Sequence, residues 1–337
     1  MTTSTSRPAT PARPGRPVRR IAVWTVAVLV TAMAAVTLLP DLLGLDGHRA
    51  VIQLISFRPQ LLGAGAVLLV PLLAVAWFRR WFAPVPAGLA AVLLVGAVLV
   101  APRVIPDPAP TGGRPLTVLS FNAFEGNADV TAFAELIRTE RPDVISVPEG
   151  GARFAARLAP LIEPLGYRLH TTAGGDPSDV ANVVAAVSDG LGPVRVQVSD
   201  AAAAFPYVQV TGGRLGALRF AAVHTQAPVN RKIPRWSADL AGLRQWCAGP
   251  TPVVVAGDLN ATLDHSALRA GMAGCADSAD QRGAGLIPTW GPSPRTRPLG
   301  PQIDHVLTND GIEAESFAVF DVPGSDHRAI LTRLRLP

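Results

Sequence analysis

Acids, histidines and asparagines recur at the ends of apolar runs along the second two-thirds of this sequence. Asn122 ends "LSFN", Glu149 ends "ISVPE", His224 lies in "AAVHT", and Asp258 and Asn260 close "VVVAGDLN". Asp304 sits inside "IDHV", and Asp326 and His327 stand side by side in "GSDH", just before another apolar run. One Asn or Glu after a strand is ordinarily a turn former or a solvated group. Six such coincidences in one stretch point instead to a shared site. Glu149 and Asp326 are hard oxygen ligands suited to Mg²⁺ or Mn²⁺. A histidine with a carboxylate behind it can move a proton. Together these groups meet the needs of phosphoester cleavage: charge stabilisation on phosphate oxygens, an activated water, and help for the leaving oxygen.

Such residues have to be held by rigid elements, and the pattern from Leu116 onward supplies them. Short β-branched runs are expected as strands at 116–121, 143–147, 183–187, 194–198, 207–210, 218–223, 252–257, 303–307, 316–320 and 329–334. Val130, Phe133, Leu136 and Ile137 fall at helical spacing, a second helix is expected near 153–162, and Trp236, Leu240, Leu243 and Cys247 share one helical face. Many strands with interspersed helices predict an α/β domain of two packed sheets rather than one parallel sheet.

With its motifs in this order, the chain from about 114 to 337 resembles the endonuclease/exonuclease/phosphatase superfamily, whose fold is that of pancreatic deoxyribonuclease. "GDLN" followed by "IDHV" and "SDH" carries most of the resemblance, and "SFN", "PE" after a "DVI" strand and "HT" precede them in order. The resemblance implies a four-layered α/β sandwich, two packed β-sheets flanked by helices, that hydrolyses phosphoesters with a divalent metal, Mg²⁺ or Mn²⁺. By that resemblance Glu149 is the principal metal ligand, with Asn122 beside it and Asp326 contributing. His327 would do acid–base work or stabilise the phosphate, with Asp304 orienting its ring. Asp258 would activate the water, Asn260 would hold a phosphate oxygen, and His224 would face the phosphate from the opposite side. Asn182, in "ANVVAAVS", and Arg231 are further substrate-binding candidates. Two neighbours depart from the family's common pattern: Pro148 stands where Gln is usual before the metal Glu, and Gln226 where many members have a second His. Neither removes a catalytic group, but both shape the pocket rim and leave the substrate open.

The first third of the chain is of another kind. The 337 residues are 49% hydrophobic and only 16% charged, and the apolar excess lies before residue 103. Three charge-free runs, about 21–39, 61–78 and 82–101, are each long enough to cross a hydrocarbon core of about 30 Å. The first resembles a signal peptide's apolar middle, but two spans behind it favour a retained helix. Residues 1–20 read as a disordered basic tail, and the Pro-rich stretch 103–115 as an extended linker to a catalytic domain at 116–337. Arg7, Arg13, Arg16, Arg19 and Arg20 precede the first span and Arg79-Arg80 separate the second from the third. The positive-inside rule then predicts a multi-pass cell-membrane protein with a cytoplasmic N-terminus and an extracytoplasmic catalytic domain, its partner the lipid bilayer through three helices.

The overall charge of +5 belongs to those flanks: residues 1–110 carry 10 Arg and 3 Asp, whereas 111–337 carry 20 Arg or Lys against 22 Asp or Glu. The soluble part is therefore net −2, whereas a nuclease normally presents a basic groove to track phosphates. Local clusters at Arg231-Lys232-Arg235 and Arg295-Arg297 suit a nucleic acid, a lipid headgroup or a solvated surface equally. A phosphodiester in nucleic acid, a phospholipid headgroup, and a scaffold without catalysis all remain open. Cys247 and Cys275 are the only cysteines, and the sequence does not decide whether they pair.

Overall fold

The computed structural model describes residues 16–172, 179–199, 205–309 and 311–337. Most of the expected basic tail, residues 1–15, lies outside them. Three apolar helices open the chain: Arg16–Leu38, Arg58–Phe78 with Pro71 inside it, and Pro84–Val100. Each is long and apolar enough to cross a membrane, the third together with the turn Ala101–Val104 that continues it. They pack through small residues: a Cβ on Gly88 would collide with Thr31, and one on Gly65 with Leu93. Close approach of this kind is how helices associate where lipid removes the hydrophobic drive.

The rest is a sandwich of two six-stranded sheets. The first, in spatial order, contains β11 (Glu313–Asp321), β12 (Arg328–Leu336), β1 (Arg114–Ser120), β2 (Val144–Pro148), β4 (Val183–Ser188) and β3 (Tyr167–Thr171). The second contains β5 (Val194–Val198), β6 (Tyr207–Gly212), β7 (Arg219–His224), β8 (Val253–Asp258), β10 (Asp304–Thr308) and β9 (Ala276–Asp277). Two pairs are parallel, β1 with β2 and β7 with β8; every other pairing is antiparallel.

Alternation along the strands makes the four layers. Val118, Val144, Val183 and Ala185 meet Val208, Phe220, Val254 and Ala256 between the sheets. Their neighbours Leu119, Ile145 and Val184 point outward onto Phe133, Ile137, Phe154 and Leu158 of the helices Val130–Glu140 and Ala152–Ile162. Because both faces are buried, these strands read as continuous apolar runs. Asp129 starts the first of those helices by accepting from the backbone N–H groups of Thr131 and Ala132. The second sheet is covered by Ile233–Gly242, Arg244–Cys247 and Ser266–Gly271. The face expected to be one helix from Trp236 to Cys247 is thus two, and Cys247 forms a disulfide with Cys275.

The segment between the first two apolar helices is built into this domain. Ile52 is fully buried in the apolar layer that contains Trp236, Leu240 and Leu268. Arg58, at the start of the second helix, donates to Asp264 (2.7 Å) and to Asp41, and Arg103, beyond the third helix, also reaches Asp264 (2.9 Å). His265 accepts the Thr262 N–H at Nδ1 (3.0 Å), so its Nε2–H donates to the Ile52 carbonyl (2.7 Å). The Pro-rich stretch that follows Arg103 also lies against the domain: Pro106 bridges Arg282, and Asp107 N–H donates to Gln281.

Ile52→Ala is therefore expected to destabilise the whole chain by about 2–5 kcal/mol, read as a lower unfolding midpoint in detergent. A midpoint within error of the parent would show that the segment is not part of the domain's packing. Burial holds the His265 pKa below its usual value, outweighing the carbonyls of Ile52 and Thr262 and the nearby Asp264 and Asp46, which favour the charged ring. Its stabilising contribution should be complete above the unfolded value of about 6.5 and decline as pH falls below it. His265→Gln should flatten that part of the stability–pH curve.

Candidate active site

Strand direction assembles the site. The parallel strands β1, β2, β7 and β8 all end on one edge of the sandwich, and the antiparallel strands β10 and β12 start there. Asn122 and Glu149 follow β1 and β2, and His224 and Asp258 are the last residues of β7 and β8, paired across the two strands. Asp304 opens β10 directly opposite Asp258. Asp326 and His327 precede β12, which runs beside β1.

These residues meet. Asn122 Nδ2 donates to Glu149 Oε1 (3.1 Å) and to Asp258 Oδ2 (2.9 Å), linking the two sheets, while its Oδ1 accepts from Phe124 N–H (2.8 Å). His224 Nε2 lies 3.8 Å from both Glu149 and Asp258. His327 Nδ1 is 2.8 Å from Asp304 Oδ2, and its Nε2 faces Asp258 at 3.7 Å and Asp326 at 3.9 Å. Asn260 donates to Asp258 from its backbone (2.8 Å) and to the Thr225 carbonyl from its side chain (2.9 Å). Glu149 and Asn260 both have left-handed backbone, φ 53° and 48°. Asn accepts that conformation readily; for Glu149 it is strain, of order 1–3 kcal/mol. Two bonds hold the loop in that form: Glu149 Oε2 accepts the Glu125 N–H (2.8 Å), and the Pro148 carbonyl accepts the Ala123 N–H (2.8 Å).

The electrostatics follow from crowding acids in a buried place. Burial opposes the charged form of His327, but Asp304, Asp258 and Asp326 outweigh it and push its pKa up to about 10. Burial raises Asp258 to about 7, with Asp304 and Glu149 adding to the effect and His327 opposing it. His224 is lowered, chiefly by burial. The surrounding acids thus favour the protonated form of His327, which Asp304 orients, and burial favours the protonated form of Asp258.

The donor set fits a hard divalent cation. Glu149, His224 and Asp258 offer ligand atoms within 4.8 Å of one another, as do Asp258, Asp304 and His327. Asp326 Oδ2 accepts from Trp290 Nε1 (2.9 Å), leaving a buried Oδ1 without a hydrogen-bond partner among the described residues. Asn182 is buried at the edge of the site, its Oδ1 accepting from Thr172 (3.2 Å); the nearby Val180 carbonyl bonds to His224. Arg231 is exposed on the turn Asn230–Lys232, in the loop after His224, and makes no ion pair among the described residues. Sequence reasoning missed Trp290, which carries no spacing signal, and Ser325, whose hydroxyl ties the Asn122 carbonyl to the His327 N–H.

Comparison with known proteins agrees with this architecture. A structure of D. rerio TDP2 humanized by 14 mutations superposes with a TM-score of 0.52 at 16% identity, over 66% of this chain and 99% of that one. An endonuclease/exonuclease/phosphatase from Beutenbergia cavernae DSM 12333 gives 0.50 at 22% identity, over 66% and 72% of the two chains. The mannosyl-6-phosphatase Bt3783 of Bacteroides thetaiotaomicron VPI-5482 gives 0.52 at 14% identity, over 66% and 100%. At these identities the likeness shows the fold. No curated protein matches the chain. The sequence pattern of the endonuclease/exonuclease/phosphatase family matches residues 119–327, from the end of β1 to His327, and the chain belongs to that family of phosphoester hydrolases.

Proposed function

We propose that this protein is a membrane-anchored, divalent-metal-dependent phosphoesterase that hydrolyses a phosphodiester on the extracytoplasmic side. The observation that carries the reading is the meeting of Glu149, Asp258, Asp304, Asp326, His224 and His327 at one edge of the sandwich. Glu149 and Asp326, with Asn122 beside them, would hold Mg²⁺ or Mn²⁺. The bound ion would supply Lewis acidity at a phosphate oxygen. Asp258, with a pKa near 7 and two bonds from Asn260, suits removal of a proton from the attacking water. The His327 imidazolium, oriented by Asp304, suits stabilisation of the phosphate and transfer of a proton to the leaving oxygen. His224 would face the remaining phosphate oxygens, and the Asn260 side chain would hold one by exchanging its 3.2 Å bond to Asp258 for it, with Asn182 and Arg231 nearer the rim.

Orientation and compartment have independent support. Arg19 lies over the ring of Trp81, 4.7 Å from its centroid, so Arg19 and Arg20, in the first turns of the first helix, and Arg79-Arg80 share one end of the helices. The catalytic domain is docked at the other, as the positive-inside rule requires of an external domain. The disulfide Cys247–Cys275 suits an oxidising compartment. For the substrate, a D. rerio TDP2 structure is described as a complex with a single-strand DNA product, and the Bacteroides thetaiotaomicron neighbour is named a mannosyl-6-phosphatase. A nuclease-like phosphodiester is compatible with the first.

The test is hydrolysis of bis-p-nitrophenyl phosphate by the full chain in detergent, with Mg²⁺ or Mn²⁺ and with chelator. Glu149→Ala and His327→Ala should each lower kcat by about 10²–10⁴-fold. A folded protein inert under every metal condition would leave the non-catalytic scaffold as the reading. Trp290→Phe keeps the ring but frees Asp326. It should raise the Mg²⁺ concentration needed for half-maximal rate about 10–100-fold, with less effect on the rate at saturation. An unchanged metal titration would remove Asp326 from the ligand set.

A further inference from the structure

The edge of the sandwich that carries the site is also the edge that docks on the apolar helices. Asp264, held by Arg58 and Arg103, lies on the loop that continues from Asp258 and Asn260 at the end of β8. The same loop supplies His265 to the Ile52 carbonyl and the Ser266 N–H to Asp46 (2.7 Å). Gln60, in the first turn of the second helix, donates to the carbonyls of Leu299 (3.2 Å) and Gly300 (2.9 Å), just ahead of β10. Arg49 reaches Asn230, in the loop that follows His224 (3.4 Å). Every one of these contacts falls where β7 and β8 end or β10 begins. The connecting stretch has the complementary geometry. It leaves the dock at Arg103 and delivers Arg114 to the start of β1, at the far edge. Its nine residues 105–113 can span about 30 Å, enough to run the length of a sheet whose β1 is about 23 Å long.

The separation between helix end and site is short. A Cβ on Gly300 would collide with the Trp290 carbonyl, and the Trp290 ring donates to Asp326. One packed layer of backbone and side chain, on the order of 10 Å, therefore lies between the first turn of a membrane-length helix and the proposed metal ligand. The polar layer of a bilayer is about 5–7 Å deep on each side, and lipid phosphates lie in it. The rim is apolar for a surface around a charged site. Leu299, beside Gln60, is 68% exposed; Phe124, Val180 and Val229, on the loops around Glu149 and His224, are each more than a third exposed. Arg231 and Lys232 stand exposed next to Asn230 on the docking side.

We infer that the catalytic edge faces the bilayer and that the substrate is a phosphoester headgroup of an amphiphile lying in the leaflet where the helices emerge. It reaches Glu149, Asp326 and His327 from the membrane plane without leaving the bilayer. This rests on the phosphoesterase reading and narrows it. The apolar rim contacts the acyl region nearest the headgroup, and the basic turn meets the phosphate. A domain of net charge −2 held against a membrane is poorly suited to tracking a nucleic-acid backbone.

Two measurements on the full chain test the inference. In the first, the protein is reconstituted with Mg²⁺ or Mn²⁺ into vesicles of phosphatidylglycerol, phosphatidylethanolamine and phosphatidylcholine. Headgroup release is compared, at equal phosphate, with cleavage of the deacylated glycerophosphodiesters, plasmid DNA and bis-p-nitrophenyl phosphate. Vesicle lipid should be cleaved at least tenfold faster than its deacylated counterpart. Equal or faster cleavage of the deacylated compounds or of DNA overturns the inference, as does cleavage of bis-p-nitrophenyl phosphate with the vesicle lipids intact; both leave the phosphoesterase reading standing. Inertness toward every substrate removes both. In the second, a nitroxide is placed through Leu299→Cys or Thr139→Cys, each the only free thiol because both native cysteines are paired. Thr139 is exposed near the far end of the helix Val130–Glu140. The label at 299 should be relaxed by oxygen dissolved in lipid and shielded from a water-soluble nickel complex, and that at 139 the reverse. Equal exposure of the two to the nickel complex places the catalytic edge away from the membrane and sinks the idea without any assumption about substrate.

Discussion

Repulsion among buried carboxylates is the constraint around which this protein is built. Asp258 and Asp304 are almost wholly shielded from water, and Glu149 and Asp326 are largely so. An uncompensated buried charge costs several kcal/mol, so each acid has to be answered locally. Asp304 is answered by His327, Asp258 by the amides of Asn122 and Asn260, Glu149 by Asn122 and the Glu125 N–H, and Asp326 by Trp290. These partners cannot neutralise four acids; one imidazolium is the only full positive charge among them. On the function proposed above, a hard divalent cation would complete such a set, held by the carboxylate oxygens of Glu149 and Asp326.

The sandwich meets this constraint through strand direction. In a purely antiparallel sheet, neighbouring strands would deliver their ends to opposite edges. The central parallel pairs β1–β2 and β7–β8 deliver four ends to one edge, and their antiparallel neighbours β12 and β10 begin there. Six polar strand ends thus converge with no long excursion of the chain. Asn122 then joins the two sheets by bonding Glu149 of one and Asp258 of the other, so the site also clasps the layers together at this edge.

Much of this was legible in the sequence because the signals are local. Strands buried on both faces read as runs such as "VVVAG", and a polar residue that ends such a run stands out. Asn122, Glu149, His224, Asp258 and Asp326-His327 lie at the strand ends expected for them, whereas Asp304, expected inside its strand, opens β10. Strand β3, "YRLHT", escaped notice because an edge strand keeps polar residues on its open side and so has a weak apolar signal. Leu243 was expected inside a helix, but apolar spacing does not reveal that the axis breaks there. Trp290 bonds Asp326 from 36 residues away, and Ser325 ties its near neighbour His327 to Asn122, 203 residues away; no periodicity reports such links. Pairing of Cys247 with Cys275 depended on a separation that only the fold sets; their Cα atoms are 5.2 Å apart.

The least legible feature was the dock, since Arg58 and Asp264 lie 206 residues apart. Its composition says what it is for. Ile52 and the apolar layer around Trp236 can supply attraction, but an apolar contact tolerates sliding. Asp264, gripped by Arg58 and Arg103 and followed directly by His265 on the Ile52 carbonyl, tolerates very little, because a small displacement would leave charges and ring nitrogens buried without partners. A buried ion-pair network adds little net stability over an apolar replacement, so its use here fits a need for one orientation more than a need for strength. That orientation matters because Asn260 and Asp258 lie on the same loop, and Trp236 holds both ends of the arrangement: its ring edge meets His265 and its Nε1–H bonds the Asn260 carbonyl (2.9 Å). The groups that fix the domain to the helices are thus in direct contact with those that fix the loop carrying Asp258 and Asn260. A hinge between helices and domain would have to open inside that contact, and a rigid joint there keeps the helix ends and the catalytic edge in one frame.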